Sequence, residues 1–156
     1  MANPLYGQNK ADDAIDVGSC VYANTDITLL SSEAGSTVIL GDSAAKTIKL
    51  PSDVKNGMTF DFAYVAAAAE AHDITIDTQS DDNYFLGGCS ILDTNATTDG
   101  AEALVPILPN GSSNSKAALK TVDNGTWFRV VCYNNIWHMY GQICSATATA
   151  VVYADQ

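Results

Sequence analysis

The sequence predicts an all-β fold: an antiparallel β-sandwich or barrel-like single domain over residues 19–156, preceded by an extended N-terminal arm over residues 1–18. Three observations lead there. Residues 126–143, TWFRVVCYNNIWHMYGQI, set two runs of aromatic and β-branched side chains around Asn134 and Asn135; such side chains suit a pleated surface, and Asn tolerates the positive φ of a tight hairpin turn. Short alternating runs recur from Cys20 onward, separated by turn compositions such as Ser-Ser-Glu-Ala-Gly and Gly-Asp-Ser-Ala-Ala. Of the 156 residues, 47% are hydrophobic and only 16% charged, with Gly, Thr, Ser and Asn filling the polar part, which supplies one proper core and excludes a disordered chain.

Residues 1–18 combine Pro4, Gly7 and several Asn and Asp with few apolar side chains. A short helix through Ala11, Ala14 and Ile15 has nothing to hold it without a partner surface, so the segment reads as an arm that docks elsewhere. Strands are expected at 26–30, 37–40 and 47–50, the last with Ile48 and Leu50 inward and ended by Pro51, which lacks a backbone donor. Residues 58–65 alternate Met58, Phe60, Phe62 and Tyr64 with Thr59, Asp61, Ala63 and Val65, the second strongest strand signal. The run YVAAAAEAH over 64–72 has high helix propensity but joins two strand patterns; strand, turn, strand is the reading, with a short helix as the alternative. Residues 73–78 then alternate around Ile74 and Ile76.

A polar loop at 79–83 precedes Tyr84, Phe85 and Leu86, after which Gly87 and Gly88 are expected to bend the backbone before a short strand at 90–92. Loops at 93–100 and 110–115 flank a short apolar strand at 103–108. Residues 117–122 are expected to join the hairpin as a third strand through Asp123, Asn124 and Gly125, since Asn-Gly adopts the primed turns cheaply. That pairing sets Leu119 and Thr121 on the core face with Val130 and Phe128, and Lys120 opposite Arg129. Like charges directly opposed are unfavourable, so the pattern implies either a carboxylate partner, such as one on another copy of the chain, or screening in solvent. Residues 145–156 end in Val151, Val152 and Tyr153, an edge strand or an extension to a neighbour.

With a two-residue turn at Asn134 and Asn135, Trp127 faces Gln142 and Cys132 faces Trp137. One face of the hairpin is then wholly apolar: Phe128, Val130, Cys132, Trp137, Met139, Gly141 and Ile143. The other mixes Trp127, Arg129, Val131, Tyr133, Ile136, His138, Tyr140 and Gln142, neither a clean solvent face nor a clean core, and reads as a contact surface.

The totals exclude several classes. With 18 acidic against 7 basic residues the formal net charge is −11, which opposes binding to a nucleic-acid backbone or an anionic membrane. The N-terminus lacks a basic and apolar signal pattern, giving the expectation of a protein made and kept in a cytoplasm, and the most apolar run, 62–71, is interrupted by Glu70 and far short of the roughly 20 residues that span a bilayer. Cys20, Cys89, Cys132 and Cys144 have no zinc spacing and read as free thiols buried as small hydrophobes, with Cys144 beyond the strand end. A nucleophile elbow, a phosphate-binding glycine loop and an HExxH helix are missing. His72 and His138 lie without a nucleophile or carboxylate at a readable spacing, and the acidic pairs Asp12 with Asp13, Asp73 with Asp77, and Asp81 with Asp82 match no calcium loop. The acceptor patterns at Asn95, Asn110 and Asn124 carry no meaning without a secretory signal. These absences weigh against an enzyme and leave catalytic, cofactor and metal residues unassigned.

The opening MANPLYGQNKADDAID, the central TIKLPSDVKNGMTFDFAYV followed by HDITIDT, and the closing DNGTWFRVVCYNNIWHMYG together resemble the head-decoration (cement) and head-fibre proteins of tailed bacteriophages, of the kind found in marine phages. The resemblance covers most of the chain through loose motifs that describe a β fold. It implies a structural protein of the virion, assembled in the host cytoplasm, which sits as a homotrimer on the outer capsid surface and bridges major capsid proteins, with no catalysis and no cofactor. On that reading Trp127, Arg129, Tyr133, His138 and Tyr140 meet another subunit, and Asn3, Pro4, Leu5 and Tyr6 of the arm touch the capsid. The partners are the major capsid protein and the chain itself, with no nucleic acid and no membrane. The alternative is a tail or head-fibre domain in which Trp127, Tyr133 and Tyr140 stack on a host receptor or carbohydrate.

Overall fold

A computed structural model describes residues 19–42, 44–66, 72–94, 104–147 and 149–156. The arm, with Asn3, Pro4, Leu5 and Tyr6, lies outside the described residues, as do the centre of the Ala run and most of the loop after Asp93. The strands are β1 (Cys20–Ala23), β2 (Ile27–Thr28), β3 (Thr37–Leu40), β4 (Lys46–Lys49), β5 (Thr59–Tyr64) and β6 (Ile74–Asp77) in the first half. The second half adds β7 (Phe85–Asp93), β8 (Leu104–Ile107), β9 (Lys116–Leu119), β10 (Trp127–Tyr133), β11 (Ile136–Ser145) and β12 (Val151–Ala154). They form a sheet of seven strands, ordered β1-β3-β5-β10-β11-β7-β8, and one of five, ordered β12-β9-β6-β4-β2. The two pack together as an all-β sandwich-like domain.

The sheets are mixed rather than antiparallel, because the first six strands alternate between them. The odd-numbered β1, β3 and β5 lie side by side and parallel in the large sheet, and the even-numbered β2, β4 and β6 do the same in the small one. Parallel neighbours need a long crossover. Here each crossover is the strand laid down in the opposite sheet, so this half of the chain winds as a flattened coil. The second half is mostly antiparallel, with β7 and β11 a further parallel pair.

Between the layers lie Val38, Leu40, Phe60, Phe128, Val130 and Trp137 from the large sheet and Ile48, Ile74, Ile76 and Leu119 from the small one, all fully buried. Tyr153 of β12 reaches across to the ring of Phe85, 6.3 Å between centroids, and donates its hydroxyl to Met139 Sδ at 3.6 Å. Burial raises the Tyr153 phenol above its ordinary range and pushes the Cys89 thiol up to about 12. Buried thiols of this kind are weak nucleophiles. Cys89, Cys132 and Cys144 are buried as expected; Cys20, on the edge strand β1, is exposed, and Cys144 falls inside β11 rather than beyond it.

Two further expectations are corrected. The short strand expected at 90–92 is part of β7, which runs unbroken through Gly87 and Gly88, although both glycines hold a positive φ, 82° and 138°, where the bend is expected. Residues 117–122 do not pair with β10 as a third hairpin strand: β9 belongs to the small sheet between β6 and β12, β10 pairs with β5 instead, and Val122 meets the hairpin through an antiparallel bridge to Ser145 of β11. Thr121, at φ 50°, and the turn at Asn124 carry the chain from one layer to the other. The Asn124 side chain bonds to both backbone groups of Ala66, donating at 2.8 Å and accepting at 3.2 Å. Lys120 therefore never faces Arg129, and its amine lies 3.6 Å from Asp73.

The hairpin has the predicted register, with Trp127 opposite Gln142 and Cys132 opposite Trp137. Asn134 and Asn135 sit at φ 51° and 63°, the left-handed conformation of a type I′ turn. Because Gly adopts that conformation without side-chain crowding, Asn135→Gly is expected to leave the melting temperature unchanged or slightly raised, whereas Asn135→Val lowers it by several degrees.

A carboxylate clasp fixes the last strand. Asp81 accepts the Gln156 amide at 2.8 Å, Asp77 accepts the Gln156 side-chain amide at 2.6 Å, and Asp155 accepts Asn114 and Ser113 at 2.9 and 3.0 Å. The Ser115 hydroxyl, and next the Gln156 N–H, hold the Asp81 carboxyl below its usual range. A carboxyl lowered on folding stabilises the fold above its unfolded pKa and loses that contribution as pH falls through the folded value. Hydrogen exchange in β12, corrected for intrinsic rates, is expected to rise on acidification below the usual carboxylate range, and Asp81→Asn to remove part of that pH dependence.

Candidate contact surface on the hairpin sheet

The buried face of β10 and β11 determines what the other face displays. Side chains alternate along a strand, so packing Phe128, Val130, Cys132, Trp137, Met139 and Ile143 inward forces Trp127, Arg129, Tyr133, His138 and Tyr140 out. Trp127, Tyr133 and Tyr140 remain 54%, 59% and 48% exposed, too much large aromatic surface on one sheet face to dismiss as scattered exposure.

Pairing with β5 and β3 supplies what the hairpin alone does not. Four adjacent strands place Thr37, Asp61, Arg129 and Tyr140 in one row across the sheet, and in the next Trp127 faces Ala63. Because Thr37 and Ala63 are small beside their neighbours, an open hollow of about 510 Å³ forms, lined by Thr37, Asp61, Ala63, Trp127, Arg129 and Tyr140. Arg129 donates twice to Asp61, Nε to Oδ1 at 2.6 Å and Nη2 to Oδ2 at 2.7 Å. That carboxylate raises the Arg129 pKa, by hydrogen bonding first and by charge second. The carboxylate that the sequence led one to seek for Arg129 thus comes from its own chain. With both side chains 40% exposed or more, the pair contributes at most about 1 kcal/mol, and Asp61→Ala is expected to cost no more than that in a urea melt.

The five residues expected at a subunit interface share the face but form two groups. Trp127, Arg129 and Tyr140 line the hollow. Tyr133 and His138 pack together beside the turn, with ring centroids 6.4 Å apart. Asp61, Thr37 and Ala63 went unremarked as site residues because nothing local links 61 to 129; only the β5–β10 register does so. Of the acidic pairs in the sequence, Asp12 and Asp13 lie outside the described residues; Asp73 lies beside Lys120, and Asp77 and Asp81 accept from Gln156. Among the described residues no three His, Cys, Asp or Glu side chains are grouped to hold a metal ion, and no helix is long and apolar enough to cross a membrane.

Comparison with known proteins gives no family: no protein-family model matches the chain, and no curated protein matches it.

Proposed function

We propose that the protein is a decoration or cement protein of a tailed-phage head, which self-associates through the outer face of its hairpin sheet and attaches to the shell formed by the major capsid protein. The observation that carries the proposal is the pairing of a rigid, fully packed inner face with an aromatic outer face on the same two strands. A packed inner face fixes the backbone that carries these rings, and Trp and Tyr, with two side-chain torsions each, give large contact area for little lost freedom on binding. Bridging a shell requires buried area on more than one neighbour, and the N-terminal segment adds reach to a compact domain. The strongly acidic balance fits a protein partner better than nucleic acid or membrane. In purified particles, a copy number comparable with that of the major capsid protein is the expected result; a handful of copies per particle places the protein in the tail and overturns the proposal.

The hollow itself favours a second reading, a fibre domain that binds a neutral carbohydrate, since aromatic rings flank a charge-neutral pair with hydrogen-bonding capacity to spare. A glycan screen in which Trp127→Ala abolishes a specific signal selects this reading; an empty screen rejects it.

A further inference from the structure

We infer that the hollow between Trp127 and Tyr140 seats the N-terminal segment of a second copy of this chain, with Pro4, Leu5 and Tyr6 filling it. The inference rests on the self-association proposed above and names the group that meets the aromatic face; it gives Pro4, Leu5 and Tyr6 a neighbouring subunit in place of the capsid contact that the resemblance implies for them.

The first argument is chemical match. Asp61 and Arg129 are the charged residues lining the hollow, and they neutralise each other. The rest of the lining is aromatic or small. Residues 3–7, Asn-Pro-Leu-Tyr-Gly, carry no charged side chain and group a proline with two large apolar side chains. Proline, with φ already fixed, packs against aromatic surfaces at low entropic cost.

The second argument is direction. Ser19 is tied to the sheet by the Thr37 amide, which donates to its carbonyl at 3.0 Å, and Cys20 then pairs with Thr37. The hollow extends forward from that row, past Asp61 and Arg129, to the row of Tyr22, Ile39, Ala63 and Trp127. The described residues thus begin on the edge strand, at the end of the sheet that carries the hairpin turn and with β3 between Ser19 and Asp61. At that end the line of β1 points away from the hollow of the same chain.

The third is reach. From Ser19 to Leu5 the chain spans on the order of 45 Å when extended, more than the roughly 37 Å width expected of a domain this size. A contact in which one copy's segment enters the next copy's hollow is heterologous, and it closes into a ring when the rotation permits.

The test uses two full-length variants that lack opposite halves of the contact: Leu5→Asp with Tyr6→Asp in the segment, and Trp127→Ala in the hollow. Each alone is expected to self-associate about 30-fold more weakly than the wild type in sedimentation equilibrium. Mixed in equal amounts they are expected to form a two-chain complex, because one supplies an intact segment and the other an intact hollow. Acrylamide quenching provides an independent readout, since Trp137 is fully buried and Trp127 half exposed; wild-type association is expected to protect Trp127. If the segment variant associates like the wild type while Trp127→Ala does not, the inference falls and the self-association reading stands. If the wild type is monomeric and its Trp127 is quenched as readily as in the segment variant, both fall. If it is monomeric and only the segment variant quenches freely, the segment seats in its own chain and exchange between copies is overturned.

Discussion

Phe128→Ala is expected to destabilise the domain by about 3–5 kcal/mol, lowering the melting temperature by about 10–15 °C. Phe128 is fully buried at the centre of the large sheet, and its ring stacks on that of Phe62 with centroids 4.6 Å apart and planes within 7°. The two rings face each other because β5 and β10 pair in a register that sets Phe62 opposite Phe128. Truncation removes the transfer free energy of the ring, leaves a cavity flanked by a second aromatic residue, and forfeits the stacked contact. The neighbouring change, Trp127→Ala, is expected to cost clearly less, about 1–2 kcal/mol, since that ring is half exposed. Urea unfolding of the two variants measures both. A large loss from Trp127→Ala without any association between chains shows that the outer face serves the fold and removes it as a candidate contact surface.

That contrast was readable in the sequence, because a hairpin is the local case. Its turn residues, alternation and register all lie within residues 126–143. The strands at Thr37–Leu40 and Ile74–Asp77 were equally legible as strands. Their partners were not. Alternation gives the same pattern whether a strand's neighbour runs parallel or antiparallel, so nothing in these short runs shows that successive ones are laid in opposite sheets. The turn at Asn124 and Gly125 failed for a related reason. Turn chemistry specifies that the backbone reverses; it does not specify which layer the chain enters, and here that is settled by Asn124 bonding to Ala66, 58 residues away. One misplaced strand then produced a false pairing of Lys120 with Arg129 and concealed Asp61, the residue that completes the hollow.

Gly87→Ala is expected to damage the large sheet severely for a single added methyl group, costing about 3 kcal/mol or more. Gly87 lies inside β7 at φ +82°, a conformation that side-chain-bearing residues rarely adopt, and a Cβ there collides with the backbone carbonyl of Met139 on β11. Strain from the dihedral alone is worth about 1–3 kcal/mol. The collision adds to it, since a backbone carbonyl in the middle of a ladder cannot rotate away as a side chain can. Gly57 separates the two effects: it has a similar φ of +89°, yet a Cβ there meets nothing within 4 Å, so Gly57→Ala carries the strain without the clash. Equal losses in the two variants in urea melts rule out the clash. A larger loss at Gly87 also bears on the contact surface, because Met139 precedes Tyr140 and any retreat of β11 from β7 moves the tyrosine that flanks the hollow. At a temperature where Gly87→Ala remains folded, self-association is therefore expected to weaken relative to Gly57→Ala, although residue 87 lines no part of the hollow.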